Sequence, residues 1–528
     1  MTALADDRAA RTFLGHPRGL FVLFFAETWE RFSYYGMRAI LVFYLTKHFL
    51  FGEDKAYLLY GAYTSLVYIT PVIGGALADR WLGARRAVLF GGALIAIGHL
   101  TIALVEGPRG AQGGFLQGFY LALAFIVVGT GFLKANVSTI VGQLYPRDDI
   151  RRDPAYSIFY MGINVGGAVG PIVVGLLGEL WGWGWGFGAA GVGMLAGLVN
   201  FVLFQPALGA AGLPPSPQAL RARGSIGLST ETTIYAAAIG GVVLIYALIQ
   251  YQDLVGWLLV AFAAATVAFV LWRAVATLER DARNRILAAL FLCALNPLFW
   301  GLNEQGGSSL NVFTDQRVDR HLFGFEVPAS QFQSLNSIFI IVFAPAFAAL
   351  WTWLGRRRLE PSTPAKFGIG LALTGLSFLV LVWGAASGNA LTPAIYIVLL
   401  NLVMTWGELA LSPVGLSAMT RLSTLNMAGL MMGVWFLSTA AGEYLAGLIA
   451  SLTGGAGTGA DQILTVYGRI GWLGIAAGAA VVALSPFVRR LMHLDTIGRD
   501  DVAHGLDGER TLAEPQAPGY PIAGERPA

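Results

Sequence analysis

The sequence predicts an all-α polytopic membrane protein, and three observations carry that prediction. Of 528 residues, 56% are hydrophobic and 12% charged, with a mean hydropathy of +0.63; a soluble domain carries about 25% charged residues. Apolar stretches of about 20 residues, the length that crosses a bilayer as a helix, recur about fourteen times. Arginines gather in alternate loops between those stretches, as the positive-inside rule asks of a multi-pass chain.

Residues 1–18 are polar and arginine-bearing, without an apolar core or a small-residue cleavage site. They read as a cytoplasmic segment leading into a retained signal-anchor. An N-terminal bundle, 19–205, then holds spans near 19–47, 56–79, 86–106, 116–143, 155–179 and 184–205. Residues 206–231 are rich in Pro, Gly and Arg and read as a cytoplasmic linker. An inserted two-helix hairpin, 232–276, has little polarity and suits the periphery. The C-terminal bundle, 277–492, holds spans near 286–312, 330–354, 364–386, 392–419, 426–451 and 463–491. A polar tail, 493–528, is expected to be cytoplasmic and without stable order.

If the N-terminus is cytoplasmic, the inner loops hold Arg80, Arg85, Arg86, Arg151, Arg152, Arg280, Arg283 and Arg356 among others. The outer loops keep only Lys47, Lys55, Arg109, Arg317 and Arg320. Both termini are therefore expected inside a bacterial inner membrane, and the inserted pair preserves the parity of the second bundle.

Several classes drop out. Cys293 is the single cysteine, so no internal disulfide and no thiolate metal site can form. The six histidines (16, 48, 99, 321, 493 and 504) show no metal-ligand spacing. No metal or other cofactor is expected, and no nucleophile–base pair suggests an enzyme. No basic and aromatic patch outside the loops suggests nucleic acid.

Charge inside an apolar span costs roughly 2.5–3.5 kcal/mol per residue, so it needs a reason. The first span contains Glu27-Thr-Trp-Glu-Arg-Phe-Ser-Tyr-Tyr-Gly-Met-Arg38. At about 100° per residue, Glu27, Arg31, Tyr34 and Arg38 share a narrow arc, with Glu30 beside it. A lone Glu27–Arg31 bridge would be the plain structural explanation, but two acids, two bases and two tyrosines exceed its needs. A water-filled cavity or pocket on that face is the expectation.

Lys134 lies in the fourth span, although only four of the thirty-four basic residues are lysine. Lysine is a compact charge that loses its proton readily when buried, which arginine does not. Asn164 stands among glycines in the fifth span. In the second bundle Trp300, Glu304, Asn336, Glu408, Trp435 and Glu443 interrupt apolar runs, and the Gly306-Gly307 pair loosens the helix after Glu304. Glu443 has no evident role.

The loop after the second span reads Gly75-Ala-Leu-Ala-Asp79-Arg80-Trp-Leu-Gly83-Ala-Arg-Arg86. Its glycines permit a tight turn, and Asp79 can cap a helix end and pair with arginine. The pattern resembles the cytoplasmic loop of the major facilitator superfamily, and Leu354-Gly-Arg-Arg-Arg358 looks like its decayed copy. That resemblance implies two six-helix bundles with a site between them.

A closer resemblance follows. Glu27-x-x-Glu30-Arg31-Phe-x-Tyr34-Tyr35-Gly36 is similar to a signature of the proton-dependent oligopeptide transporter family. Phe159-Tyr-x-x-Ile-Asn164-x-Gly166, Gln-Ser-Leu-Asn336 and Glu408-Leu-x-x-Ser-Pro413 match its further motifs, over residues 17–490. The inserted pair resembles the family's bacterial branch. The resemblance implies import of di- and tripeptides with protons by alternating access, and a working monomer is the expectation. Glu27, Glu30, Arg31, Lys134 and Glu304 would couple protons. Tyr34, Tyr35, Arg38, Tyr68, Lys134, Asn164, Trp300, Glu304, Asn336, Glu408 and Trp435 would line the peptide site, with Glu304 also gating through Arg38.

Three departures stand out: Gly167-Ala168 replaces the usual Ser-Leu, Asn303 replaces an apolar or aromatic residue, and the second span lacks the histidine of animal relatives. Symport of another small anion or zwitterion, such as nitrate or an amino-acid derivative, is the alternative. A drug antiporter fits less well, because lipophilic cations would want acids and aromatics only.

Overall fold

A computed structural model describes residues 12–494, apart from 111, 147–148, 225–226, 323, 387–389, 425–426 and 456–458. The N-terminal segment through residue 11 and the tail beyond 494 lie outside the described residues.

Among the described residues, fourteen long helices follow the apolar segments. The first six are α1 (Arg18–Phe43), α2 (Glu53–Leu77), α3 (Ala84–Leu104), α4 (Gly114–Gln143), α5 (Arg152–Trp181) and α6 (Trp183–Phe204). The inserted pair is α7 (Thr230–Ile249) and α8 (Gln252–Thr277). The last six are α9 (Arg280–Asn303), α10 (Ser334–Arg356), α11 (Thr363–Ala385), α12 (Ala394–Leu422), α13 (Ala428–Ser451) and α14 (Ala460–Leu491). All but α1 are long and apolar enough to cross a membrane by composition, and α1 carries the charged stretch.

Packing repeats between the two sets of six. In the first, α1 packs on α5, α2 on α4, and α3 on α4 and α6. In the second, α9 packs on α13, α10 on α12, and α11 on α12 and α14. Matching partners in matching order make a two-bundle, major-facilitator-like architecture. The sets meet along α2–α13 and α5–α10, again a matched pair. The hairpin straddles that division, α7 lying on α4 and α8 on α13 and α9.

One span expected to be continuous is broken. After α9 the chain takes a 3₁₀ turn, Glu304–Gly307, and restarts as a short helix, Ser309–Arg317. Glycine in a helix interior costs about 1 kcal/mol relative to alanine, and the Gly306-Gly307 pair meets that cost twice. The break turns Glu304 toward the space between the bundles.

The loop after α2 turns through Ala78–Leu82 and ends at Gly83, whose φ of +78° favours glycine. Asp79 makes no hydrogen bond or ion pair among the described residues, contrary to the capping and pairing role its position suggests. The arginines are committed elsewhere. Arg85 donates from Nε to the Ala211 carbonyl at 2.5 Å and from Nη2 to the Gly209 carbonyl at 2.6 Å. Arg86 pairs with Glu231 of α7 at 2.9 Å.

Candidate functional site

α1 brings its charged arc into the protein interior. Glu27, Glu30 and Arg31 are each at most 3% exposed. Arg31 Nε lies 3.2 Å from Glu27 Oε1 and still closer to Glu30. Its guanidinium carbon sits 5.3 Å from the ring centre of Tyr34. Lys134, on α4, makes no ion pair among the described residues; its ammonium lies 3.6 Å from the ring centre of Tyr68 on α2. Two carboxylates thus share one guanidinium, and an ammonium close by rests on a π face.

Two turns beyond Arg31 along α1, Arg38 reaches across to the other bundle. Its Nη2 lies 2.6 Å from Glu304, both side chains nearly buried. Behind Glu304, Gln305 donates to the Gly301 and Ala446 carbonyls and accepts from Ser309, fixing the broken helix. On α10, Asn336 donates to Glu408 at 2.9 Å and to Thr405 at 3.2 Å, both on α12.

These groups border a cavity with about 840 Å³ of empty space, part of it open to solvent. Tyr35, Arg38 and Tyr68 line it from the first bundle; Trp300, Asn303, Glu304, Asn336 and Glu408 line it from the second. One lining donor, Trp300 Nε1, has no hydrogen-bond partner among the described residues. A buried donor left unpaired costs free energy, so it points to a polar guest.

Other sequence-selected residues lie outside the lining. Tyr34 is 2% exposed and its hydroxyl has no partner. Asn164 Nδ2 donates to the Tyr160 carbonyl of its own helix at 3.0 Å. Trp435 packs edge-on against Phe367 and covers Gly415. Lys134 stands behind Tyr68.

The bundles are latched where α1 ends and α2 begins. There Lys47 pairs with Asp315 at 2.7 Å, and Gln316 donates to Glu53 at 2.9 Å. Asn311 donates to the Ala39 carbonyl at 2.8 Å, and Ser330 donates to Glu179. Asp315, Ser330 and Glu179 escaped sequence reasoning, because each partner is more than 140 residues away. Tyr60 and Tyr63 were also missed, although tyrosines at 57, 60, 63 and 68 are a visible signal on one helix.

Two repeated helical bundles around a charged cavity, latched at one end, define a secondary active transporter rather than an enzyme. The chain belongs to the POT family, whose sequence model matches residues 85–466. It is 42% identical over 494 residues to the uncharacterized transporter YclF of Bacillus subtilis (strain 168), covering 91% of this chain and 96% of that one. It is 38% identical over 519 residues to the peptide transporter YePEPT of Yersinia enterocolitica, covering 93% and 98%. The solved structure of a mutant peptide transporter POT in complex with alafosfalin has a TM-score of 0.80 and 37% identity, covering 93% and 99%. The chain is accordingly a multi-pass protein of the bacterial inner membrane.

Proposed function

We propose that this chain imports di- and tripeptides together with protons by alternating access. The observation that carries this reading is the charge division of the cavity: a cation, Arg38, on one bundle and a hydrogen-bonded carboxylate, Glu408, on the other. A zwitterionic peptide presents a carboxylate and an ammonium a few ångströms apart. Bound between the bundles it would touch both, and in a low dielectric each attraction is several times its strength in water. Such a guest stabilises the closed arrangement over the open one, which is the differential contact alternating access needs.

In this reading Arg38, with Lys134 behind Tyr68, attracts the peptide carboxylate. Asn336 and Glu408 receive the ammonium, with Asn164 and Tyr34 joining as the bundles move. Trp300 walls the side-chain space, and Trp435 does so once it leaves Phe367. Glu27 and Glu30 take up protons and release Arg31, while Lys134 and Glu304 exchange partners as protons pass. Residues 19–205 and 277–492 move as the two bundles, joined by the 206–231 linker. The Gly75, Asp79, Arg80, Gly83 and Arg86 loop keeps the inner end of α2 beside α3. Both termini are cytoplasmic, so the latched end faces outward and the structure is inward-facing. The working unit is a monomer.

The test is uptake into proteoliposomes. An inward acid gradient should concentrate a labelled dipeptide, and a protonophore should abolish the accumulation. Gradient-driven nitrate uptake with no peptide uptake would sink the assignment.

A further inference from the structure

Glu443 is a carboxyl that the transport cycle above does not use. It lies on α13 and is 0% exposed, and its carboxyl oxygens make no well-formed hydrogen bond, with only the Thr64 hydroxyl of α2 close by. It also lies on the seam between bundles. Its backbone carbonyl is 3.2 Å from where a Cβ on Gly61 of α2 would stand, and Gly447, one turn on, faces that same glycine.

Polar and charged groups on several elements act on it electrostatically. α1 contributes Tyr34 and Arg38, α2 contributes Tyr60, Thr64 and Tyr68, α4 contributes Lys134, and the turn after α9 contributes Glu304. None forms an ion pair with it. The Thr64 hydroxyl donates to the Tyr60 carbonyl, Arg38 holds Glu304, and Lys134 rests on Tyr68. An ionised carboxylate here would be a buried charge with no ion-pair partner, because Arg38 and Lys134 act on it only from a distance and Glu304 opposes it, whereas a protonated one leaves only a weak dipole unsatisfied.

We propose that Glu443 is a proton-operated latch on outer closure: its carboxyl takes a proton from the outer side before α13 closes on α2, and returns it there when they part. Parting the seam admits water and lets the carboxylate ionise. Closing it excludes the ion, so closure takes up one proton by linkage. Because the closed structure gives the group no exposure, its proton goes back the way it came. Glu443 therefore sets when the outer end shuts without adding to the protons carried per peptide. It is a positioning residue, and the inference rests on the alternating-access reading above.

The test uses the full chain in liposomes, spin-labelled at Lys55→Cys and Leu452→Cys, exposed positions flanking the seam; Cys293 is buried and stays. Distances across the outer ends are measured from about pH 5 to about pH 8. In Glu443→Gln the closed-to-open ratio should depend on pH with one proton less than the parent, about tenfold less per pH unit. Glu443→Asp should restore the slope, and protons per peptide should be equal in all three. An unchanged slope in the Gln variant, or a stoichiometry lower by one, overturns the proposal. If the Gln variant does not fold, Glu443→Asp decides: its midpoint moves, and an unmoved midpoint is fatal. Peptide uptake is read separately, so a parent that moves no peptide defeats the transport reading while the slope still judges the latch.

Discussion

The Arg38–Glu304 pair should dominate the energy of outer closure, and Glu304→Gln measures by how much. Both side chains are nearly dry, 10% and 5% exposed, and they come from opposite bundles. Removing one partner of such a pair strands the other charge, which costs about 3–5 kcal/mol. A glutamine still accepts a hydrogen bond from the guanidinium, which favours the lower figure. In the open arrangement both groups meet water, so the cost falls on the closed form alone. At 1.4 kcal/mol per decade, closure should weaken by about 10²-fold. The neighbouring Lys47–Asp315 pair, at a similar 2.7 Å, has Lys47 43% exposed. It belongs with surface pairs worth about 0–1 kcal/mol, and Asp315→Asn should barely move closure. The assay is the distance distribution between labels across the outer ends at fixed pH. Arg38→Gln added to Glu304→Gln should return much of the lost closure, since no charge is then stranded. Closure that survives Glu304→Gln intact, or a double variant no better than the single, would refute the desolvation argument.

Three further outcomes are expected. Glu27→Gln should drop gradient-driven accumulation to about unity while peptide exchange without a gradient persists, because it removes a proton-responsive charge rather than the pocket; Lys134→Ala should lose accumulation too and also weaken peptide binding. Glu408→Gln should raise KM for peptides with a free amine by roughly 10–100-fold, the worth of a hydrogen bond to a charged group, and leave N-acetylated peptides nearly unchanged. Arg85→Ala should cost about 2–4 kcal/mol through two lost bonds to linker carbonyls, lowering the melting temperature and opening residues 209–211 to protease.

How legible this was in the sequence differs by level. Helix number and order could be read directly, because each span must satisfy its backbone internally and be about 20 residues long. The charged face of α1 could be read because its cost is high and its spacing helical. Orientation within the fold could not. Trp300 and Trp435 look alike in an apolar run, yet one lines the cavity and the other covers Gly415. Asn164 was placed at the site by the resemblance alone, and its amide bonds back to the Tyr160 carbonyl of its own helix. The Glu179–Ser330 contact spans 151 residues, and no local pattern announces such a pair. Asp79 shows the opposite limit: the motif was visible, but its arginines had partners that only the folded linker and α7 supply.

Glycines make the final case that position in the assembly decides what a residue means. A Cβ on Gly166 of α5 would strike the Thr28 carbonyl and lie 2.8 Å from Arg31 Cβ, both on α1 of the same bundle. A Cβ on Gly61 of α2 would lie 2.8 Å from the Gly447 Cα on α13, in the other bundle. The contacts are alike in closeness, and backbone cannot give way in either. But α1 and α5 stay together throughout the cycle, whereas α2 and α13 must part. Gly166→Val therefore strains every state and should lower the melting temperature, overpacking costing about 1–3 kcal/mol. Gly61→Val strains only the closed state. It should leave folding and melting nearly untouched once the bundles open, hold the outer ends apart, and stop net uptake. Equal thermal losses in the two variants, with outer distances unchanged in Gly61→Val, would mean that α2 and α13 never separate.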